Sequence, residues 1–352
     1  MSTEKASINK DNVFTKTGDT LYQVNGIAYM EASLKLIHLR ILIVIIDHLQ
    51  YAIRYKISRK KPDAAIPKVL LPEEGPLTLN GPSRKLTIPV AEFNLQPRNG
   101  GRLRNYLQEL QHIVIVFPAA QKNSPSAASV FQGLIAGFSF PAYSQRVEIY
   151  MQEKMIGRLL LTEEGYTAYS KKAAISCTNK NTVRLYWLIC SWRNKGGFMI
   201  KLDSFRRILA LEKNYSRFDN IVTRILAPAA KELKEHFPIW FLYRTYGTGD
   251  KRLLVFKVQT RVPQDQQEAE RRSIWNICFH LFHSIGVPPT KLEDIFAQVD
   301  YGDLKPFLNK AIALSSYLKE LRPQPRDNTA YVRSALQSWL SDWRLRYELL
   351  DD

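Results

Sequence analysis

The chain has 352 residues, of which 45% are apolar and 24% charged, a composition that excludes a disordered chain and allows two or three globular domains. Its 50 lysines and arginines against 33 acidic residues give a net charge of +17, which favours a polyanionic partner, nucleic acid before an anionic membrane. Residues 264–352 carry 11 basic and 13 acidic residues, so a net +19 lies in the first 263. The surface for such a partner is therefore expected before residue 264.

The first half of the chain predicts a helix, a strand, a second helix and a hairpin. Residues 1–24 are polar, and we expect a flexible N-terminal segment there. Three- and four-residue spacing of apolar side chains then predicts a helix with one buried face. The predicted elements are helix Glu31–Tyr55, loop Ser58–Lys85, strand Leu86–Val90, helix Arg98–Gln111, and a hairpin of Ser129–Phe140 with Gln145–Gln152.

A similar order of elements recurs in the second half. The predicted elements there are helix Thr182–Trp192, strand Gly197–Lys201, helix Leu202–Leu211, helix Ser216–Phe237, and a hairpin around Gly247–Asp250. An isoleucine and a phenylalanine five positions apart occur in both halves, as Ile88 with Phe93 and Ile200 with Phe205. This shared spacing at matching places supports an internal duplication.

Helices followed by a basic hairpin are typical of the winged helix, which places its third helix in the major groove of DNA and its hairpin along the backbone. Four further helices are predicted after Pro263. We therefore predict an α+β, mostly helical fold with two tandem winged-helix domains and a C-terminal helical extension. The predicted segments are the N-terminal segment 1–24, a first winged helix 25–165 for dimerisation or DNA backbone contact, a second winged helix 166–263 as the main DNA reader, and an acidic helical extension 264–352.

The third helix of the second copy carries the residues that are best suited to read bases. Phe218, Ile221, Ile225, Ala229 and Leu233 form an apolar stripe, and the polar residues lie off it. Arginine pairs with guanine and asparagine with adenine in the major groove. The candidate DNA-binding residues here are Lys213, Asn214, Tyr215, Ser216, Arg217, Asn220, Thr223 and Arg224. The alternative is a solvated helix face, which the adjoining basic hairpin disfavours.

Pro228 lies within the same helix, where it removes one backbone donor and is expected to bend the axis. We expect the N-terminal half of the helix to enter the groove and the C-terminal half to stay in the core.

Further basic residues complete the predicted DNA surface. In the hairpin, Arg244, Lys251 and Arg252 are expected to contact phosphates, which gives affinity and salt dependence rather than base specificity. In the first copy the equivalent residues are Arg98, Asn99, Arg102, Arg104 and Asn105. The turn at Arg98 is suited to a phosphate near a helix start, and an exposed basic turn is the alternative.

The sequence contains no phosphate-binding loop of the ATPase type, and Cys278, His280 and His283 lack the further ligands of a zinc site. We therefore predict no catalytic residue, no metal and no cofactor. Three scattered cysteines argue against a disulfide framework, and no signal peptide or membrane-spanning segment is recognisable, so a cytoplasmic protein without a membrane partner is expected.

Residues 166–260 resemble the theta-type, iteron-binding plasmid replication initiators. The resemblance rests on Arg184-Leu185-Tyr186, on LDSFRRIL before Leu211-Glu212, on the Tyr215 to Phe218 start, and on ILAPAAKEL. Residues 30–160 are similar to the first winged helix of that family, mainly in the order of elements. The Ser58–Lys85 insertion and the acidic helical tail depart from the family pattern.

The resemblance implies that the protein binds directly repeated origin sequences in double-stranded DNA, opens nearby A·T-rich DNA, and recruits the host replication initiator and the replicative helicase. It also implies a dimer that represses its own gene, and association with the plasmid in the nucleoid. Two other interpretations remain open from the sequence, a winged-helix transcriptional repressor and a DNA strand-cleaving or recombining enzyme. The second of these lacks clustered carboxylates to support it.

Overall fold

A computed structural model describes residues 19–59, 66–78, 81–93, 100–117, 129–212, 215, 217–249, 252–262, 264–321 and 325–347. The fold is α+β and mostly helical with small antiparallel sheets, which confirms the predicted class. The chain forms two compact units, residues 1–187 and 188–352, and the boundary falls within a single helix. The predicted boundaries between domains stay a prediction.

The first unit begins with a strand and three helices: β1 (Thr20–Val24), α1 (Asn25–Tyr29), α2 (Leu36–His48) and α3 (Gln50–Arg59). Its central part contains β2 (Glu73–Glu74), β3 (Ser83–Pro89), α4 (Gly100–His112), β4 (Val114–Phe117), β5 (Ser129–Gln132), β6 (Gly137–Ser139) and β7 (Arg146–Gln152). It continues with α5 (Glu153–Leu159), β8 (Tyr166–Ser170), α6 (Lys171–Ser176) and the start of α7 (Lys180–Trp192).

Helix α2 is the core of the first unit. The single helix predicted over Glu31–Tyr55 is interrupted at Leu49, and α2 is buried all round rather than on one face, since Ile41 to Ile46 are all at most 1% exposed. An evenly apolar helix is typical of a core helix. Within the described ranges no single helix is long and apolar enough to cross a membrane, although α2 and α3, bent by 58°, pass the test of length and composition together.

The first winged helix has the strand order β2-β3-β7-β6, entirely antiparallel. Helix α4 begins at Gly100, close to the predicted Arg98–Gln111. A 3-10 turn at Val90–Phe93 follows β3 at the place where helix Leu202–Leu209 follows the equivalent strand in the second copy. The predicted single strand Ser129–Phe140 is wrong, because Gly133 at φ +86° separates β5 from β6. A Cβ on Gly133 would lie 2.5 Å from the carbonyl oxygen of Gln111, so only glycine fits there.

Two pairings in this unit were not predicted. Strand β5 pairs with β4, a strand absent from the sequence prediction, rather than with β7. Strand β1 pairs with β8, so the expectation of a flexible segment over residues 1–24 is wrong at Thr20–Val24. Residues 1–18 lie outside the described residues. The Asp19 carboxylate accepts the Ser170 hydroxyl and the Lys172 amide, which fastens this strand to the start of α6.

The second winged helix follows the predicted order closely. After α7 it contains β9 (Gly197–Lys201), α8 (Leu202–Leu209), α9 (Phe218–Ile221), a π turn (Val222–Leu226), α10 (Ala227–His236), β10 (Ile239–Tyr246) and β11 (Leu253–Thr260). The strand order is β10-β11-β9, again antiparallel. Gly196, at φ +72°, ends the turn that follows α7 and leads into β9.

The two winged helices share one register. Ile88 of β3 lies opposite Val147, the second residue of β7, and Ile200 of β9 lies opposite Leu254, the second residue of β11. Five positions after each isoleucine, a buried phenylalanine closes the same corner, Phe93 at 4% and Phe205 at 0% exposure. The shared spacing in the sequence thus corresponds to one shared sheet geometry, which supports the predicted duplication.

The last helices form a bundle with its own core. They are α11 (Gln264–His283), α12 (Glu293–Ala297), α13 (Leu304–Glu320) and α14 (Asn328–Tyr347), and they agree with the four predicted helices. Helices α11 and α13 run parallel, since Glu270 pairs with Lys305 at 3.0 Å and the Leu281 carbonyl oxygen lies 3.5 Å from the Ser315 hydroxyl. Phe282 and Phe307 are fully buried between them.

The bundle is seated on the turn between α7 and β9. A Cβ on Gly196 would lie 2.9 Å from the Trp343 ring and 3.0 Å from Pro306, so the backbone of this turn packs directly against two bundle helices. Asn309 also donates a hydrogen bond to the Asn194 carbonyl at 3.5 Å. The acidic extension is therefore a packed part of the second unit.

Candidate nucleic-acid interface

The long helix of the second winged helix has a buried and an exposed face at the predicted positions. Ile221, Ile225, Ala229 and Leu233 are at most 2% exposed, whereas Phe218 is half-buried. This spacing of three and four residues places one apolar stripe on the core side. The polar residues between them necessarily face outward.

Both halves of the helix have an exposed face, so the expectation that only the N-terminal half leaves the core is wrong; Lys231 and Lys234 are exposed in the C-terminal half. The exposed face of the N-terminal half carries the candidate DNA-binding residues. Arg217, Thr223 and Arg224 are exposed, and Asn220 is half-buried. Arg217 lies 3.9 Å from the Asp219 carboxylate, but both side chains are 80% exposed, so this contact is weak and leaves the guanidinium available. Thr223 donates its hydroxyl to the Asp219 carbonyl at 2.8 Å, so its donor is already engaged within the helix. Arg217 and Arg224 are the best placed of the predicted base-reading residues.

Pro228 follows a widened turn of the helix. The Ala227 amide donates to the Val222 carbonyl, five residues back, and Val222–Leu226 form a π turn. Proline has no amide for the usual bond to the residue four positions earlier, and its ring would collide with that carbonyl, so a wider turn relieves both problems. The sequence predicted a bend of the axis at Pro228, which stays a prediction; the structure adds a π turn just before the proline, with exposed Thr223 and Arg224 inside it.

Three predicted residues at the start of this helix, Lys213, Asn214 and Ser216, lie outside the described residues. Tyr215 is half-buried, and its amide donates to the Leu211 carbonyl at 3.3 Å. Its place at the turn before the helix is therefore partly structural.

The wing is the β10–β11 hairpin, with Gly247 and Gly249 at positive φ in its connection. Arg244 lies opposite Val255 in this hairpin and is half-buried. Lys251 lies outside the described residues. Lys201, which the sequence interpretation omitted, is exposed at the end of β9 opposite Leu253, so it adds a cation beside the base of the wing.

Arg252 has a structural contact that the sequence did not predict. Its guanidinium lies over the Phe218 ring, 4.1 Å from the centroid, and its carbonyl accepts the Leu202 amide at 3.0 Å. The cation–π contact holds the wing against the first turn of the long helix. A phosphate contact by Arg252 stays a prediction, and this residue also sets the spacing between the wing and the helix.

In the first winged helix, α4 presents the predicted polar face. Arg102, Arg104 and Asn105 are exposed, and Leu103, Leu107 and Leu110 are fully buried. Arg98 and Asn99 lie outside the described residues. The Arg104 guanidinium lies over the Phe140 ring at 5.1 Å, which ties α4 to the β6–β7 hairpin.

A buried histidine fixes α4 to the start of α2. His38 is 1% exposed, its Nδ1 accepts the Lys35 amide at 3.3 Å, and its Nε2 lies 2.9 Å from the Glu109 carboxylate of α4. Burial lowers the pKa of His38 despite the neighbouring carboxylate. Glu109 also accepts the Lys35 ammonium at 2.8 Å, and that hydrogen bond lowers the pKa of the Glu109 carboxyl. The contact therefore joins a neutral imidazole to a carboxylate.

Two of the residues that carry the resemblance are buried and do not face a ligand. Arg184 is 4% exposed and donates to the Met30 carbonyl, and burial lowers its pKa to about 10, so it remains charged at neutral pH. The Tyr186 hydroxyl accepts the Ser170 amide at 3.2 Å. Arg184 and Tyr186 hold the first unit together.

No cluster suited to a metal ion is visible in the described part of the chain. Groups of three or more His, Cys, Asp or Glu side chains able to hold a metal do not occur there. Cys278 is fully buried, and burial raises its pKa to about 12, which leaves it protonated. His280 and His283 are exposed on the neighbouring turn of α11.

Comparison with known proteins gives a match to one part of the chain. Residues 201–258 match the family model described as "Initiator Rep protein, WH2", and the match runs from the last residue of β9 through the long helix and the wing into β11. None of the curated proteins matches the chain. Among solved structures, domains 2 and 3 of RctB are similar at 10% identity and a TM-score of 0.34, covering 66% of this chain and 86% of that one. A likeness this distant supports no conclusion.

Proposed function

We propose that this chain, whose residues 201–258 form a winged-helix domain of the initiator Rep type, initiates plasmid DNA replication by binding directly repeated origin sequences as duplex DNA. The observation that carries the proposal is the exposed N-terminal half of the long helix, where Arg217 and Arg224 project beside a wing, inside the segment that the family model matches. No covalent step is needed, because binding energy at several repeats can offset the cost of deforming DNA.

In this proposal the second winged helix reads bases. Residues 217–224 enter the major groove, where arginine forks to guanine and each good pair contributes about 1–3 kcal/mol of discrimination. The buried stripe from Ile221 to Leu233 fixes the depth at which the helix enters. The wing, with Arg244, Lys251 and Arg252, and the start of the helix, with Lys213, Asn214 and Ser216, supply contacts to phosphates and register.

The first winged helix contacts the other part of each repeat or pairs two copies of the chain. Its basic face on α4, with Arg98, Asn99, Arg102, Arg104 and Asn105, supports the first role. A dimer formed through this domain would repress the gene of the protein, whereas monomers on the repeats would open the origin.

We expect the C-terminal bundle to bind the host replication initiator or the replicative helicase. The bundle packs on the Arg193–Gly196 turn, near the end of β11 at Thr260. The wing lies at the other end of β11, which begins at Leu253. Seven residues of strand separate these ends by roughly 23 Å at 3.3 Å per residue. The outer surface of the bundle would therefore stay accessible while the wing and the long helix hold DNA. This agrees with the net negative charge of the extension, which DNA would repel.

The test is a footprint of the purified full chain on the DNA that flanks its gene. We expect protection of several direct repeats, each about two helical turns long, and permanganate reactivity in an adjoining A·T-rich tract once the repeats are filled. Protection of a single palindrome without strand opening would favour the repressor interpretation. Cleavage of the DNA by the purified chain would contradict the proposal, as would equal affinity for unrelated DNA. In cells, we expect the protein in the cytoplasm with its plasmid.

A further inference from the structure

The first wing ends in an aromatic side chain that projects into solvent. Strands β6 and β7 are joined by a short turn, and Tyr143 in that turn is 109% exposed, more than any other large apolar side chain of the described residues. Its ring makes no hydrogen bond or ring contact with the part of the chain that the structure describes. The sequence analysis treated this segment only as a turn.

The turn holds Tyr143 in a conformation that a large side chain rarely adopts. Its φ is +59°, the left-handed region that favours glycine and asparagine. The Ser144 amide donates to the Pro141 carbonyl at 3.2 Å, and the Arg146 amide donates to the Ser144 hydroxyl at 3.2 Å. Immediately after Ser144, the Gln145 carbonyl accepts the Val90 amide at 2.9 Å. The ring is therefore presented from a fixed turn, and such local strain is typical of functional positions.

The ring projects from the basic side of the first winged helix. Arg104 of α4 lies over Phe140, three residues before Tyr143, and Arg146, three residues after it, is exposed. Glu148, the nearest carboxylate along β7, is engaged by Ser139 at 2.9 Å and Tyr150 at 2.7 Å. A DNA strand that contacts the exposed face of α4 would thus pass this tip.

We propose that Tyr143 stacks on the face of an unstacked DNA base, an inference that rests on the proposed function. A phenol ring gains little from phosphates, whereas every base offers a flat face on which an aromatic side chain stacks. In paired DNA those faces are covered by the neighbouring bases. They become accessible where a strand has melted, or where a base step is forced open by a side chain that enters the minor groove.

The experiment compares the wild-type chain with two variants on three DNA probes. Tyr143→Asn removes the ring but suits the left-handed turn, and Tyr143→Phe keeps the ring. The probes are the paired repeat, the same repeat with an unpaired bubble beside it, and the single strand alone. We expect Tyr143→Asn to lose roughly five- to hundredfold in affinity for the probe with exposed bases, to bind the paired repeat within about twofold of wild type, and to match wild type in thermal unfolding. Tyr143→Phe should equal wild type on all probes.

The probes separate the two sources of an exposed base. A loss on the bubble and the single strand places the ring on a melted strand. A loss confined to the paired repeat, together with reduced DNA bending, places it in an opened base step; both results support the proposal. The proposal would be overturned if Tyr143→Asn bound every probe as tightly as the wild-type chain. It would also be overturned if Tyr143→Phe lost as much affinity as Tyr143→Asn, or if Tyr143→Asn changed the oligomeric state and left DNA binding unchanged. Failure of the wild-type chain to bind the paired repeat would instead contradict the proposed function.

Discussion

The two winged helices share a scaffold and differ in the surface they offer to DNA. In the first copy β3 pairs with β7, and in the second β9 pairs with β11 in the same register. In each, the phenylalanine five residues after the isoleucine of the first strand is buried. Both copies have a helix with exposed arginines, but the second copy has a wing with two glycines at positive φ, whereas the first has an added β4–β5 hairpin and an aromatic tip. Residues that pack are thus repeated between the copies, and residues that face outward are not.

The largest expected effect comes from the shared core. Phe93→Ala and Phe205→Ala each remove a buried ring, and we expect each to lower the free energy of unfolding by about 3–5 kcal/mol. Leu77→Ala, at a side chain 83% exposed, is the control and should change little. Urea unfolding followed by fluorescence measures all three. If one phenylalanine could be truncated without loss, the two corners would not be equivalent.

A smaller effect, on DNA binding, is expected from the exposed arginines of the long helix in the second copy. Arg217→Ala or Arg224→Ala should weaken binding to the repeat by about 1–3 kcal/mol and relax the base preference. Lys231→Ala is the matched control, since Lys231 is 75% exposed on the C-terminal half of the same long helix. Binding to a panel of single-base variants measures the preference. An equal loss on random DNA would remove base reading from this face.

Variants in α4, compared with those at Arg217 and Arg224, test whether the two copies have different roles in DNA binding. Arg102→Ala and Arg104→Ala in α4 should weaken binding with less change of base preference, if the second copy is the main reader. A larger relaxation of specificity from α4 than from residues 217–224 would reverse the assignment of the two copies.

The wing of the second copy is expected to act through charge alone. Lys251→Ala should lower the slope of log affinity against log salt by about one unit and leave the preferred sequence unchanged. Lys319→Ala, on the C-terminal bundle, should leave the slope as it is. A slope that does not change in Lys251→Ala would remove this residue from the interface.

The smallest effect concerns the histidine that fixes α4 in the first copy. Because the pKa of His38 is lowered by burial, the unfolded chain binds a proton more readily than the folded chain, and stability is lost as the pH falls through the ordinary range of histidine. We expect a lower thermal midpoint at pH 5.5 than at pH 7.5, and a smaller difference in His38→Asn. Helix α7 of the second copy contains no histidine, so no matching contact is expected there. Identical pH dependence in the variant would contradict it.

The sequence predicted the elements whose pattern is local. The helices of the second copy and of the C-terminal bundle follow from apolar spacing, and the exposed positions 217, 223 and 224 follow from the same stripe. A disturbance of the helix near Pro228 was predictable from the missing amide. Its form, a π turn at Val222–Leu226, depends on how the helix ends are held by the core and could not be predicted from composition.

The features that the sequence analysis missed depend on distant partners. Strand β1 exists because β8, some 150 residues away, offers it an edge, and β5 pairs with β4 because Gly133 turns the chain away from β6. Arg252 looks like any wing-tip cation in the sequence, and only the position of Phe218 gives it a packing role. Tyr143 gave no signal beyond a turn, since the sequence carries neither its φ nor its exposure.

The apolar residues of the motifs on which the family resemblance rests are mostly buried. In LDSFRRIL, Leu202, Phe205, Ile208 and Leu209 are at most 4% exposed, and in ILAPAAKEL the same holds for Ile225, Leu226, Ala229 and Leu233. A likeness built on such positions identifies a scaffold without telling which bases are recognised. Under the proposed function, two proteins that share these motifs can therefore recognise different origin sequences, and exchanging only the outward residues of 217–224 between them would be expected to exchange that specificity.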